Sequence, residues 1–244
     1  MTLSKFIPVL FVLVPLASHA AIQPDRTRII FNSADKASSL KLENQSKALP
    51  YLAYSWIENE QGQKDDSVLT ALPPIQRLEP GAISQVRIVK QAKASTLPTD
   101  RESLFYFNVR EIPPAPENDN NSAVLQLALQ SRLKLFWRPS GLKKTPDVKV
   151  EEQITASQQG SSLQVKNPTA YYITLAYFGK DIHGIFAGYT STMIAPFSTQ
   201  TLNANGYSGN TFSLGYIDDY GGLRMLDVRC NGQCEVKAPP EKKK

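Results

Sequence analysis

Most apolar runs in this chain have strand length, and prolines, glycines and asparagines cut them off before a helix could establish itself. They cover residues 27–31, 39–43, 51–58, 83–89, 104–110 and 124–137, then 162–166, 171–178, 199–202, 211–217 and 223–229. Within 39–43, Leu40 and Leu42 alternate with Lys41 and Glu43, the pattern of a strand with one buried and one wet face. Pro73-Pro74, Glu79-Pro80-Gly81 and Pro113-Pro114-Ala115-Pro116 supply the breaks. With 17 Pro, 10 Tyr and 10 Phe, the composition favours strands and turns over a helix bundle, so an all-β fold is expected. The polar stretch 140–147, Ser-Gly-Leu-Lys-Lys-Thr-Pro-Asp, is of the kind that joins domains. The reading is a first domain at 21–141, a linker at 142–147, a second domain at 148–238 and a basic tail at 239–244. Each domain then has the roughly 100 residues of a β-sandwich. The run 124–137 is ambiguous: Leu125, Leu127, Leu129, Leu133, Leu135 and Trp137 share a strand face, while Leu125, Ala128, Leu129, Leu133 and Phe136 share a helix stripe.

Lys5, an apolar run at 6–16 and Ala17-Ser18-His19-Ala20 read as a secretory leader cleaved after Ala20, too short to span a membrane. Export permits disulfides, and Cys230 and Cys234 flank the turn signal Asn231-Gly232, so a structural disulfide is expected there. No metal site is expected, because His183 is the lone other zinc-type ligand beyond the leader.

Catalysis finds little support. A serine hydrolase would need His183, in a loop at 180–184, and the chain has no nucleophile elbow. The pairs Asp65/Asp66, Glu151/Glu152 and Asp218/Asp219 place adjacent carboxylates on opposite strand faces and read mostly as solvated turn charges. Phosphate-cradling, dinucleotide and calcium-loop motifs are missing, so no cofactor is expected. A net charge of +5 without basic-aromatic recognition motifs argues against a nucleic-acid partner.

Several motifs carry a resemblance. They are Asp25-Arg26-Thr27-Arg28, Leu49-Pro50-Tyr51-Leu52-Ala53, Trp56-Ile57-Glu58-Asn59-Glu60, Gln76-Arg77-Leu78-Glu79-Pro80-Gly81 and residues 100–108, Asp-Arg-Glu-Ser-Leu-Phe-Tyr-Phe-Asn. Arg110-Glu111-Ile112-Pro113-Pro114, Lys134-Leu135-Phe136-Trp137-Arg138-Pro139, Asn167-Pro168-Thr169 and Asp219-Tyr220-Gly221-Gly222 extend it over nearly the whole chain after the leader. Together they resemble the PapD-like periplasmic chaperones of pilus assembly.

The resemblance implies two immunoglobulin-like β-sandwich domains in a boomerang arrangement, with 124–137 a strand. It implies a non-enzymatic periplasmic chaperone that completes pilus or fimbrial subunits with a donated strand and passes them to an outer-membrane usher. Leu125, Leu127 and Leu129 would enter the subunit's groove, and Arg28 and Lys134 would hold its C-terminal carboxylate. Strict alternation puts Lys134 on the face opposite the leucines, so twist or a bulge is expected to reconcile them. Glu102, Arg138 and Asp219 match the family's interdomain ion network. The loop at 113–122 resembles the short-loop branch serving rod-like pili, and the Cys230/Cys234 spacing is one residue tighter than in familiar members. The free chain could cap its own edge as a homo-oligomer. The competing reading is a secreted immunoglobulin-like adhesin or carbohydrate-binding module, suggested by the many aromatic residues.

Overall fold

The computed structural model describes residues 20–115, 126–145 and 148–239. The first domain contains β1 (Ile22–Pro24), β2 (Arg28–Asn32), β3 (Ala37–Asn44), β4 (Tyr51–Glu58), β5 (Leu69–Leu72), β6 (Ile75–Leu78), β7 (Ile83–Lys90), β8 (Ser103–Ile112) and β9 (Gln130–Arg138). They form two sheets, in the orders β1-β3-β7-β5 and β2-β9-β8-β4-β6. Alternation decides what lies between them: Leu40, Leu42, Val86 and Ile88 face Ile57, Phe107, Leu135 and Phe31 across a core from which water is excluded. Pro73-Pro74 ends β5 in one sheet just before β6 begins in the other.

Arg28–Asn32 and Gln130–Arg138 run parallel, and the register begins at Arg28↔Lys134 and ends at Asn32↔Arg138. Strand β2 therefore covers the second half of β9 only. Toward its start β9 pairs with β8 on one side, as far as Gln130↔Arg110, and among the described residues no strand lies on the other.

The expected strand at 124–137 is shorter than the sequence pattern suggests. Residues 124 and 125 lie outside the described residues, and 126–129 have no regular structure. The cause lies across the ladder: beyond Ile112 the partner chain is Pro113-Pro114, which has no N–H to donate. The last backbone-to-backbone tie among the described residues is the Glu111 N–H to the Leu129 carbonyl, at 3.0 Å; beyond it the Gln126 side chain donates to the Pro114 carbonyl at 2.8 Å.

The second domain contains β10 (Thr155–Gln159), β11 (Ser162–Lys166), β12 (Ile173–Gly179), β13 (Thr192–Ile194), β14 (Thr199–Asn203), β15 (Thr211–Ile217), β16 (Leu223–Asn231) and β17 (Gln233–Lys237). Its strands bond continuously in the order β13-β12-β15-β16-β17-β10-β11-β14, so the two layers of this sandwich are joined through one strand. That strand is β17, which pairs with β16 along its length and with β10 at Ala156↔Cys234 and Ser157↔Gln233. Leu163, Val165, Leu175, Phe178, Leu214, Leu226 and Val228 fill the enclosed core.

Cys230 and Cys234 are directly opposed in the β16–β17 register and joined by a disulfide. Gly232, at φ 84°, makes the reversal between them. With a sequence separation of only 4, the closed loop removes little denatured-state entropy. The chain-entropy estimate is about 2 kcal/mol for so short a loop. Replacing both cysteines by serine should lower unfolding free energy by about that amount in urea titrations; an unfolded second domain would show that the bridge sustains the layer junction.

Candidate functional site

The shared register places Arg28 and Lys134 side by side. On β9 the odd residues Leu133, Leu135 and Trp137 enter the core, and Lys134, Phe136 and Arg138 occupy the opposite face. Both Arg28 and Lys134 are half-buried. Arg28 donates through Nη1 to the Ile217 carbonyl of the second domain at 3.0 Å, while its Nε is buried without a partner. Burial lowers the Arg28 pKa against the pull of Asp219 and Asp218. Burial, and next the positive charge of Arg28, lower that of Lys134. Lys134 makes no side-chain hydrogen bond or ion pair among the described residues. Two partly desolvated cations held against each other favour an anion that accepts from both. Arg28 also lines an interdomain cleft of about 500 Å³ with Asp25, Arg138, Asp219 and Tyr220.

Behind this pair lies a buried ion network. Arg138 Nε meets Glu102 Oε1 at 2.8 Å, and its two terminal nitrogens grip Asp219 of the second domain at 2.8 and 3.1 Å. The backbone adds to it: Glu102 Oε2 accepts the Tyr172 N–H at 2.8 Å, and the Glu102 N–H reaches the Ala170 carbonyl at 2.9 Å. Lys144 Nζ bridges Asp219 at 2.8 Å and Glu151 at 2.6 Å. The Asp218–Gly222 turn closes the joint. A Cβ on Gly221, at φ 88°, would lie 2.5 Å from Thr27 Oγ1 of the first domain.

The structure thus brings Glu102, Arg138 and Asp219 together and adds two residues that the sequence reading missed. Lys144 sits in the polar stretch read as linker, and Glu151 belongs to a pair read as solvated charge but is only 7% exposed. The Asp218/Asp219 pair is likewise more than turn charge. Asp218 binds Arg224 and the N–H groups of Tyr220 and Gly222, while Asp219 enters the network. The available signal was weak: acidic residues soon after a domain boundary, in the first turn of a short 3-10 helix, Val150–Gln153.

Leu127 is 68% exposed and Leu129 42% exposed, beyond the end of the core-facing row, and Leu125 lies outside the described residues. The β8–β9 register runs from Trp137 to Gln130 without a shift, so of the twist or bulge expected, no bulge is found in the described strand. Alternation is instead retained: Lys134 lies beside Arg28 on the face away from the core, while Leu133 and Leu135 lie on the core side.

Comparison with known proteins fits this geometry. Residues 21–143 match the family described as pili and flagellar-assembly chaperone, PapD N-terminal domain, and residues 149–227 match the PapD C-terminal domain of pili assembly chaperones. The chain belongs to the PapD-like pilus-assembly chaperones. It is 58% identical over 238 residues to a fimbrial chaperone, YbgP, of Escherichia coli, covering 98% of each chain. It is 43% identical to the Escherichia coli chaperone protein PapD, covering 94% of this chain and 97% of that one. Among solved structures, the Salmonella enterica SafB chaperone in complex with the SafA pilin superposes with a TM-score of 0.74 at 28% identity, covering 87% of this chain and 98% of that one. The PapD-like family consists of assembly chaperones and not enzymes, so the chain is a fimbrial chaperone. The adhesin or carbohydrate-binding reading gives way to this assignment.

Arg138→Ala should cost about 3 to 5 kcal/mol in denaturant titrations, because Glu102, 3% exposed, would keep a buried charge without its partner. Burial opposes ionisation of Asp219, but the hydrogen bonds and charge of Arg138, then Lys144, hold its carboxyl below the usual range. Its contribution to stability is therefore present above the unfolded value, near 3.9, and is lost as pH falls through the folded value. Asp219→Asn should flatten that acid limb of the stability profile.

Proposed function

We propose that the chain is exported to the periplasm, loses residues 1–20, and there holds pilus or fimbrial subunits until an outer-membrane usher receives them. The subunit lacks a strand of its own sandwich. The edge at 124–130 supplies it, with Leu125, Leu127 and Leu129 filling the groove and the backbone pairing alongside. Arg28 and Lys134 hold the subunit's terminal carboxylate and set the register of that pairing. Glu102, Arg138 and Asp219, with Lys144 and Glu151, keep the two domains at the angle that the guest requires.

The observation that carries this reading is the pairing of β2 with only the second half of β9. It places two anion-seeking cations beside a stretch of β9 with an open side and, before it, exposed leucines. Complete burial of three leucines contributes about 5 to 9 kcal/mol as an upper bound, before ordering costs. A charge-assisted bond from each cation adds about 1.5 to 3 kcal/mol. Apolar burial supplies most of the affinity, and the cations supply register.

Arg28→Ala and Lys134→Ala should abolish recovery of chaperone–subunit complexes from the periplasm while changing the stability of the isolated chaperone by no more than about 1 kcal/mol. Complexes recovered at the normal yield from both variants would remove the cations from the site. Leu127→Glu should block capture by forcing a carboxylate into an apolar groove. A subunit equally soluble with and without the chaperone would overturn the function itself.

A further inference from the structure

Glu111 lies on the core-facing side of β8, one alternation beyond Val109, and is only 6% exposed. Carboxylates buried this deeply are ordinarily paired with a cation. Glu111 makes no ion pair among the described residues. Its Oε2 accepts the backbone N–H of Ile22 at 2.9 Å instead. Ala21, the residue before, is pinned by its carbonyl, which accepts the Gln45 N–H at 2.7 Å. The carboxylate thus faces the place where a processed chain would begin.

We infer that the missing cation is the α-ammonium of Ala21, created when the leader is removed, so that processing completes the first sandwich. The inference rests on the cleavage after Ala20 proposed above. Hydrolysis of the Ala20–Ala21 peptide bond consumes one water, leaves a carboxylate on Ala20, and leaves on Ala21 an amine that is largely protonated at neutral pH. Successive backbone nitrogens lie about 3.6 Å apart in extended chain, so the Ala21 nitrogen is within about 6.5 Å of Glu111 Oε2 before any adjustment. Before cleavage that nitrogen is a neutral amide, and among the described residues the Glu111 side chain accepts only the Ile22 N–H.

The consequence reaches the donor edge. The Glu111 N–H bonds the Leu129 carbonyl at 3.0 Å, the last backbone-to-backbone tie between the leucine segment and the sandwich among the described residues. Anchoring the Glu111 side chain at the chain start therefore steadies the base of the segment that captures subunits. A chain still carrying its leader has this joint unfinished, which delays capture until export and processing are over.

The test uses the processed chaperone alone, with no subunit. Three proteins isolated from the periplasm are compared: wild type, Glu111→Gln, which retains an acceptor for Ile22, and a form with one glycine inserted before Ala21. Each is treated near neutral pH with a limiting amine-acylating reagent, and modification of the first residue is followed by mass spectrometry. In the wild type the first residue is Ala21, and its α-amine should react about tenfold more slowly than in either variant, equivalent to about one pKa unit of preferential protonation. The Glu111 amide should also exchange hydrogen more slowly in the wild type. Equal acylation rates in wild type and Glu111→Gln, or a first residue other than Ala21, would overturn the inference. Subunit capture is read separately, so failure here and failure of the donor-strand proposal give different results.

Discussion

The short parallel pairing of β2 with β9 is the constraint from which the working surface follows. Five residue pairs, Arg28↔Lys134 to Asn32↔Arg138, bring the two cations together and deliver Arg138 to the domain boundary. Because β2 begins only at Arg28, opposite Lys134, the start of β9 has no strand on that side among the described residues. Exposed edges are normally a liability that proteins cover or charge. Among the described residues the edge here remains open beside exposed leucines, the arrangement that the proposed strand donation to a subunit calls for.

The contacts that join the domains include a buried ion network beside the packing of Phe136 on Tyr172. Burying Glu102, Arg138 and Asp219 costs desolvation that their mutual attraction only partly offsets, so the network is weak grounds for high stability. Its value is directional. Arg138 binds one carboxylate through Nε and another through its terminal nitrogens, a geometry satisfied at one relative placement of the domains. Contacts between backbone and side chain, such as the Tyr172 N–H to Glu102, reinforce that placement.

Both domains solve the same local problem in the same way, although no segment of the chain visibly repeats another. Asn44, fully buried, donates to the carbonyls of Leu49, Leu78 and Glu79, and its oxygen accepts the Ser46 N–H. Asn167, equally buried, donates to Tyr171, Ile194 and Ala195 and accepts the Thr169 N–H. A carboxamide at the end of a strand thereby satisfies carbonyls that a sandwich corner would otherwise leave unpaired. The correspondence is one of hydrogen-bond roles, and the sequence preserves only an Asn followed two residues later by Ser or Thr.

The amino-acid sequence by itself determined that strands would form and roughly where. Tyr51–Glu58, Ser162–Lys166 and Thr211–Ile217 match their apolar runs, because period-two alternation is a local property of side chains on a pleated backbone. Short strands such as Ile22–Pro24 and Thr192–Ile194 were not legible, since three residues carry too little pattern. Arg28, Lys134, Glu102, Arg138 and Asp219 could be named through resemblance, but as isolated letters they are ordinary surface charges. Only the tertiary structure decided that Lys144 and Glu151 join them, that β9 begins at Gln130, and that the second domain's layers meet through β17. Each of these depends on residues far apart in the chain meeting in space. Proline at 113–114 ends the ladder at Gln130, across the sheet, and a linker lysine finds its partners Glu151 and Asp219 on the folded second domain.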